Sequence, residues 1–515
     1  MRSCFASRWI RTSLVALAAA AAIPAAASGT WSIVLVDKKT GEVASGCATC
    51  LEGLDLEIYC PVILVGIGAA NAQSQIDSTG ANRQYIWAKM QEGKAPVGII
   101  ADLAGLDPGH QNRQYGIADL NGRKKTFTGA NCGQWAGGVD GRVGSIYYSI
   151  QGNVLAGAKV VDDAEVAIRD TEGDLADKLM AAMEAAHNVG GDGRCSCDPG
   201  DADRCGAPPP GFDPSTDKSA HIGYMIIARV GDVDGTCDAS VGCANGTYYM
   251  DLNVKNQRAG DVDPVLQLRG LFDDWRESWR GRPDHVRSTA TLADASVPGN
   301  GTKVTSLTIV LNDWESNAVG HGGATVSVVH SPNSAGLATI GDAVDQGDGS
   351  YVVPIIAGIG QGLDELEVVV DDGLGPVTLY PFTPLPHTQT LTADVASISA
   401  STGGTVSFGL FGPDTPPPDY LLLCSASGTN PGFQLGSLIV PLNLDDMVLL
   451  SYVLRNSPVF VNTDGALASD GTATAQFAVD AGDLMPLIGF ELDFAYFTHG
   501  PVEFVSNFVP LLIDP

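Results

Sequence analysis

The sequence predicts an α+β unit followed by two β-sandwich modules, and three observations carry that reading. At 515 residues the chain is too long for one ordinary core. Its 62 glycines and 29 prolines imply many turns, as in β-rich architecture. Strand pairs and helices alternate in blocks through residue 287, after which charged helical stretches give way to Thr, Val, Ser and Gly. The boundaries expected are a leader over 1–29, an α+β unit over 30–287, a first β-sandwich over 288–385 and a C-terminal β-sandwich over 386–515.

Residues 1–29 read as an export signal. Arg2, Arg8 and Arg11 precede an apolar run from Leu14 to Ile23, which Pro24 breaks before a string of small residues. The run is short for a bilayer, and no other stretch is long and apolar enough to span one. A secreted, periplasmic or cell-surface protein without a transmembrane segment is therefore expected. Small residues at −3 and −1 permit two cuts: Ala27 and Gly29 would release Thr30, whereas Ala26 and Ser28 would release Gly29.

Thr30 to Val36 reads as a buried strand, joined through an Asp37–Gly41 turn to a second strand over Glu42 to Thr49. Val62 to Ala70 reads as one strand and Gln84 to Glu92 as a short helix. Gln114 to Asp119 and Lys125 to Phe127 flank an Asn121-Gly122 turn, a hairpin signature. Ser145 to Ile150 is a strand. Leu175, Leu179, Met183 and Ala186 fall on one helical face that Gly190-Gly191 stops. A Cys-, Pro- and Asp-rich loop covers 192–218, strands cover Ile222 to Val230 and Tyr248 to Val254, and a helix over Pro264 to Trp279 closes the unit. Beyond it, Val304 to Leu311, Ala324 to Val329, Tyr351 to Val353 and Leu366 to Val370 read as sandwich strands. So do Leu391 to Ser399, Thr405 to Leu410, Tyr420 to Cys424, Ala473 to Val479 and Val502 to Leu512, with an exposed loop at Pro416-Pro417-Pro418.

A net charge of −30 repels a phosphate backbone, so no nucleic-acid partner is expected. Eleven cysteines in an exported chain are disulfide candidates whose pairing the sequence does not fix; Cys4 leaves with the leader. Nine of the remaining ten precede residue 245, an odd group, so one is left over or bridges to Cys424. Cys47 and Cys50 form Cys-x-x-Cys, read as a structural disulfide or as two separate pairings. Cys195, Cys197, Cys205, Cys237 and Cys243, with His221, are read as disulfides in preference to zinc ligands. Asp198, Asp201 and Asp203, and Asp232, Asp234 and Asp238, lack the glutamate that completes an EF-hand and are read as solvated loops. No metal and no cofactor are expected, and the usual esterase, zinc-protease and phosphate-loop motifs do not occur.

A mature chain opening at Thr30 would pair a hydroxyl with a free α-amine. The hydroxyl is a poor nucleophile until a base takes its proton. An α-amine with a pKa of about 7.7–8.0 is partly neutral near pH 7 and can do so. The competing reading is an ordinary strand threonine.

The first unit resembles a little-characterised family of the N-terminal-nucleophile (Ntn) hydrolase superfamily. The likeness runs from Thr30 to Trp279. It is carried in order by Thr30-Trp31-Ser32-Ile33-Val34, Gly66-Ile67-Gly68-Ala69 with Gln73, Gln114-Tyr115-Gly116, Gln151-Gly152-Asn153, Gly190-Gly191-Asp192 and Asp263-Pro264. The resemblance implies a four-layer αββα sandwich and cleavage of an amide bond in a small molecule or peptide. Thr30 would be the nucleophile, Asn153 an oxyanion donor and Asp192 the group that orients the amine. Gln73, Gln151 and Gly152 would line the pocket. Where relatives carry Lys or Arg after the second strand this chain has Cys50, which implies a missing cation. The residues also admit plainer roles: Gln151 and Asn153 satisfying buried backbone groups, and Asp192 in a turn. The middle unit resembles bacterial immunoglobulin-like modules of surface proteins. Both sandwiches would then hold the first unit on a cell-surface polymer. The alternative function is a non-catalytic surface or binding protein that keeps the fold as a scaffold.

Overall fold

The computed structural model describes residues 29–198, 205–413, 417–500 and 502–515. Residues 1–28 of the leader, Asp201, Asp203 and Pro416 lie outside the described residues.

Among the described residues up to 278 there are ten strands and six α-helices. In chain order they are β1 (Thr30–Asp37), β2 (Val43–Thr49), β3 (Pro61–Leu64), β4 (Gly68–Ser74), α1 (Ala81–Gln91), α2 (Pro96–Leu106), β5 (Arg113–Asp119) and β6 (Lys124–Thr128). There follow β7 (Gly137–Val143), β8 (Ile146–Asn153), α3 (Lys159–Asp170), α4 (Leu175–Asn188), α5 (Gly193–Ser196), β9 (Ile222–Ala228), β10 (Met250–Val254) and α6 (Pro264–Ser278). One antiparallel sheet runs β10-β9-β2-β1-β8-β7 and a second runs β3-β4-β5-β6.

β1 is central and buried along its whole length, with apolar side chains on both faces and the polar Thr30 and Ser32 on one of them. Trp31, Ile33 and Leu35 pack with Leu179 and Met183 of α4 and Leu268 and Phe272 of α6. Val34 and Val36 pack with Cys60, Ile63 and Ala69 on the side of the second sheet. Alternation along the strand makes that split. Each of these aliphatic side chains, fully buried, contributes roughly 1.5–3 kcal/mol. On the far side of the second sheet, Ile86 and Met90 of α1 and Ile99 and Leu103 of α2 cover Val62, Leu64 and Ile117. Helices thus pack against one face of each sheet.

Several expected elements change. The apolar run over Val62 to Ala70 is two strands, because Gly66 takes φ +68° and turns the chain between β3 and β4. The sequence reading lacked α2, α3 and β7. Leu391 to Ser399 divides into Leu391–Ala393 and Ser397–Ser399, which join different sheets.

Downstream, two sheets enclose Leu307, Ile309, Val353, Ile355, Val368 and Val370. Val304–Val310 alternates inward and outward as a half-buried strand should. Two further sheets enclose Phe408, Phe477, Phe494 and Tyr496. Their centre includes Glu491–His499, a strand absent from the sequence reading. A helix, α7 (Asp446–Val453), lies beside Asp419–Ser425.

Candidate active site at Gly29 and Thr30

The β1–β2 turn sets a register in which Thr30 faces Thr49, and β8 brings Asn153 opposite Thr30 on its other side. All three are buried. Strand alternation turns Thr30, Thr49 and Asn153 to the face between the two sheets, the side of Val34 and Ser32.

The Gly29 carbonyl oxygen is the focus of the cluster. Thr30 Oγ1 lies 2.5 Å from it, Thr49 Oγ1 donates at 2.5 Å and Arg194 Nη2 donates at 2.7 Å. Thr30 Oγ1 also lies 3.2 Å from Thr49 Oγ1. A hydroxyl and a guanidinium thus converge on one acyl oxygen beside a second hydroxyl. That is the chemistry that stabilises negative charge developing on a carbonyl.

Asp192 holds Arg194 in place. Its carboxylate accepts from Arg194 Nη2 at 2.7 Å and Nε at 3.1 Å, and from the Cys50 backbone N–H at 2.9 Å. It also presses on Gly29, where a Cβ would sit 2.4 Å from Asp192 Oδ1, so any side chain before Thr30 would have to displace that carboxylate. The Gly190-Gly191 turn, both residues at positive φ, delivers Asp192; a Cβ on Gly191 would lie 2.5 Å from the Trp31 ring.

Behind the turn, Asp192 N donates to Ser219 O at 3.0 Å, and the Ser219 hydroxyl donates to Asp263 at 2.9 Å. His187 Nδ1 lies 2.8 Å from the same hydroxyl. Burial alone would lower the His187 pKa, but the hydrogen bond and charge of Asp263 outweigh it and raise it. Burial opposes the Asp263 charge, yet His187 and the backbone N–H groups of Ser219 and Val265 hold its carboxyl below the usual range.

Of the residues singled out from sequence, Thr30 and Asp192 meet at Gly29, and Asn153 lies opposite Thr30 in the strand register. The Asn153 amide, however, donates to Cys132 O at 3.1 Å. The Gly191 N–H is spent on Ala186 O at 3.1 Å. Gln73, Gln151 and Gly152 are enclosed. Gln73 donates to Thr30 O at 3.1 Å and Gln114 Oε1 at 3.0 Å, Gln151 donates to Ser32 Oγ, and Gly152 O accepts from Gln114 at 2.7 Å. They tie the two sheets together beneath Thr30.

Thr49 and Arg194 were missed. Thr49 was open to counting outward from the hairpin turn. Arg194 supplies positive charge on the side where Cys50 had implied its loss.

Cys50 pairs with Cys195, Cys197 with Cys205 and Cys237 with Cys243. Cys47 and Cys50 therefore do not pair with each other, because Cys50 turns toward the loop after Asp192. His221 Nε2 lies 3.9 Å from Cys50 Sγ, so these three ligand-type side chains adjoin, two of them already bonded. Asp232 and Asp234 are spent on backbone groups: Asp232 accepts from Arg229 N and Tyr249 N, and Asp234 from Val65 N.

A cavity of about 340 Å³ lies at the opposite end of β1, lined by Asp37, Thr40, Glu42, Asp174, Arg229 and His285 among others. Arg229 there bonds Glu42 at 3.1 Å and Asp284 at 2.9 Å. Burial lifts the Glu42 pKa to about 7 despite that partner.

The fold and cluster define an α+β unit with a buried Gly–Thr junction, carrying β-sandwich modules. Residues 30–197 match a family of unknown function, DUF1028. A DUF1028 protein from Silicibacter pomeroyi is 17% identical over 50% of this chain and 95% of its own, with a TM-score of 0.35. The Escherichia coli adhesin FdeC is 13% identical over 93% of this chain and 96% of its own, with a TM-score of 0.20. The Yersinia pseudotuberculosis adhesin InvE is 19% identical over 45% of this chain and 60% of its own, with a TM-score of 0.19. No curated protein matches. No helix among the described residues is long and apolar enough to cross a membrane.

Proposed function

We propose that the protein is an exported Ntn-type amidohydrolase whose nucleophile, Thr30, is unmasked by cleavage of the Gly29–Thr30 bond. One observation carries this: the Gly29 carbonyl sits beside the Thr30 hydroxyl with Thr49 and Arg194 donating to its oxygen. An acyl group to be attacked needs that surrounding. Removing Gly29 frees the α-amine as base and leaves its carbonyl position open for the carbonyl of an amide substrate. Asp192, against the Gly29 backbone, then faces the new ammonium or amine. Helices packed against one face of each sheet support the αββα reading, and three disulfides support export. The units are taken as 30–287, 288–385 and 386–515, the last two holding the first at a surface polymer.

The experiment is mass spectrometry of the exported protein's N-terminus with labelling by a hydroxyl-reactive β-lactone. A chain beginning at Thr30 that is labelled there, and unlabelled in Thr30→Ala, is expected. A chain that retains Gly29 and takes no label would overturn the proposal. A non-catalytic surface protein is the second reading, favoured by the closure of Thr30, which is only 3% exposed.

A further inference from the structure

Cys47 and Cys60 are both buried, and their sulfurs lie 3.5 Å apart without a bond. We propose that they form a fourth disulfide in the mature protein, joining the two sheets covalently. Cys47 stands on β2, in the six-stranded sheet, on the face turned to the second sheet. Cys60 directly precedes β3, and its carbonyl accepts from Ala72 N of β4 at 3.0 Å. The bond would therefore cross the inter-sheet layer two β2 residues inward from Thr49.

The polar surroundings release both thiols. Asn71 Oδ1 accepts from Ser45 Oγ at 2.9 Å and Tyr224 OH at 2.8 Å. Those two hydroxyls fill the two lone pairs of the amide oxygen. The Cys60 thiol, 3.6 Å from the same oxygen, is a surplus donor. Losing its proton leaves no buried acceptor unsatisfied. The sulfurs need to approach by about 1.5 Å to reach bonding distance. The pairing also resolves the odd count. Of the nine cysteines before residue 245, eight then lie in four bonds and Cys132 alone is left.

The step is thiol–disulfide exchange with a disulfide oxidant. Cys47 gives up its proton and attacks the oxidant's sulfur, releasing one oxidant thiol. Cys60 gives up its proton and attacks Cys47 Sγ of the mixed disulfide, releasing the second. Two electrons and two protons pass to the oxidant. Because the closed core admits no oxidant, the exchange belongs to folding, before the sheets meet.

The test uses full-length protein refolded in a mixture of oxidised and reduced glutathione, then denatured and alkylated without reductant. No Lys or Arg lies between Lys39 and Arg83, so trypsin leaves both cysteines on one peptide. Cleavage after Glu52 and Glu57 separates them. The expected result is the Val43–Glu52 fragment joined to two others, through Cys50 to the fragment carrying Cys195 and through Cys47 to the fragment carrying Cys60, with neither Cys47 nor Cys60 alkylated. In Cys60→Ala, Cys47 takes the alkyl label. Alkylation of both in the wild-type protein, or linkage of Cys47 to any other cysteine, would overturn the proposal. The wild-type result decides even where the variant fails to fold.

Discussion

Replacing Arg229 by methionine tests how buried charge is balanced at the cavity end of β1. Arg229 is nearly inaccessible and bonds Glu42 and Asp284 while lying over the Tyr249 ring. Methionine fills much of the space but leaves two buried carboxyl groups without their cation. Removing one partner of a buried pair costs about 3–5 kcal/mol. At about 2–4 °C per kcal/mol for a unit of this size, the transition melting the six-stranded sheet should fall by roughly 6–20 °C. The loss should depend on pH. Glu42 has a folded pKa of about 7, above its ordinary 4.5. A raised acid pKa means that its favourable contribution is full below pH 4.5 and is lost as pH rises through 7. In the native protein that change amounts to about 3 kcal/mol, at 1.36 kcal/mol per pKa unit. In Arg229→Met, Glu42 is neutral at pH 5 and needs no cation, so the penalty there should be distinctly smaller than at pH 8. Calorimetry of both proteins at the two pH values, with Glu42→Gln added to the variant, reads this directly. The double variant should regain stability at pH 8. A penalty equal at both pH values, or one below about 1 kcal/mol, would refute the reasoning.

Arg194→Met should lower lactone labelling or amide turnover by about 10²–10³-fold, as for loss of one oxyanion donor, and should also lower the melting temperature, because it leaves the buried Asp192 carboxylate without its cation. Gly29→Ala should displace Asp192, and N-terminal mass spectrometry should find slower release of Thr30. Leu179→Ala, in the fully buried face of α4, should cost about 2–5 kcal/mol in urea unfolding. The His187–Asp263 pair supports the Asp192 turn over a bounded range. Its Asp263 part is present above pH 3.8 and fades as pH falls through the lowered folded pKa. Its His187 part is full below pH 6.5 and fades as pH rises through the raised one. Hydrogen exchange at Gly191 and Asp192 should show protection that declines on both sides.

Local patterns were readable wherever a short-range signal set them. The β1–β2 hairpin, the Asn121-Gly122 turn and the α4 face follow from turn chemistry and apolar spacing, and with them the Thr30–Thr49 register. β7 was hidden because Gly137-Gly138 and Gly141 have little strand preference of their own; pairing with β8 imposes the conformation. α3 buries Val160, Val161, Ala164 and Ile168 at helical spacing, a signal present in the sequence and overlooked. The contact of Arg194 with Gly29 joins residues 165 apart, so no window of sequence contains it. Gln73 and Gln151 were the right residues near the right atom, but polar side chains between two sheets serve the sheets first.

β1 is the first strand of its sheet and also lies near its middle. Its second neighbour, β8, ends at Asn153, and the neighbour of β2 begins only at Ile222. A nascent chain thus exposes an apolar hairpin from Thr49, where β2 ends, until Ile222, where the second flank begins. Such non-local pairing closes slowly. Until then the hairpin has two open edges available to other chains. Synthesis therefore favours delivery to a chaperone or a translocation channel before this sheet can close.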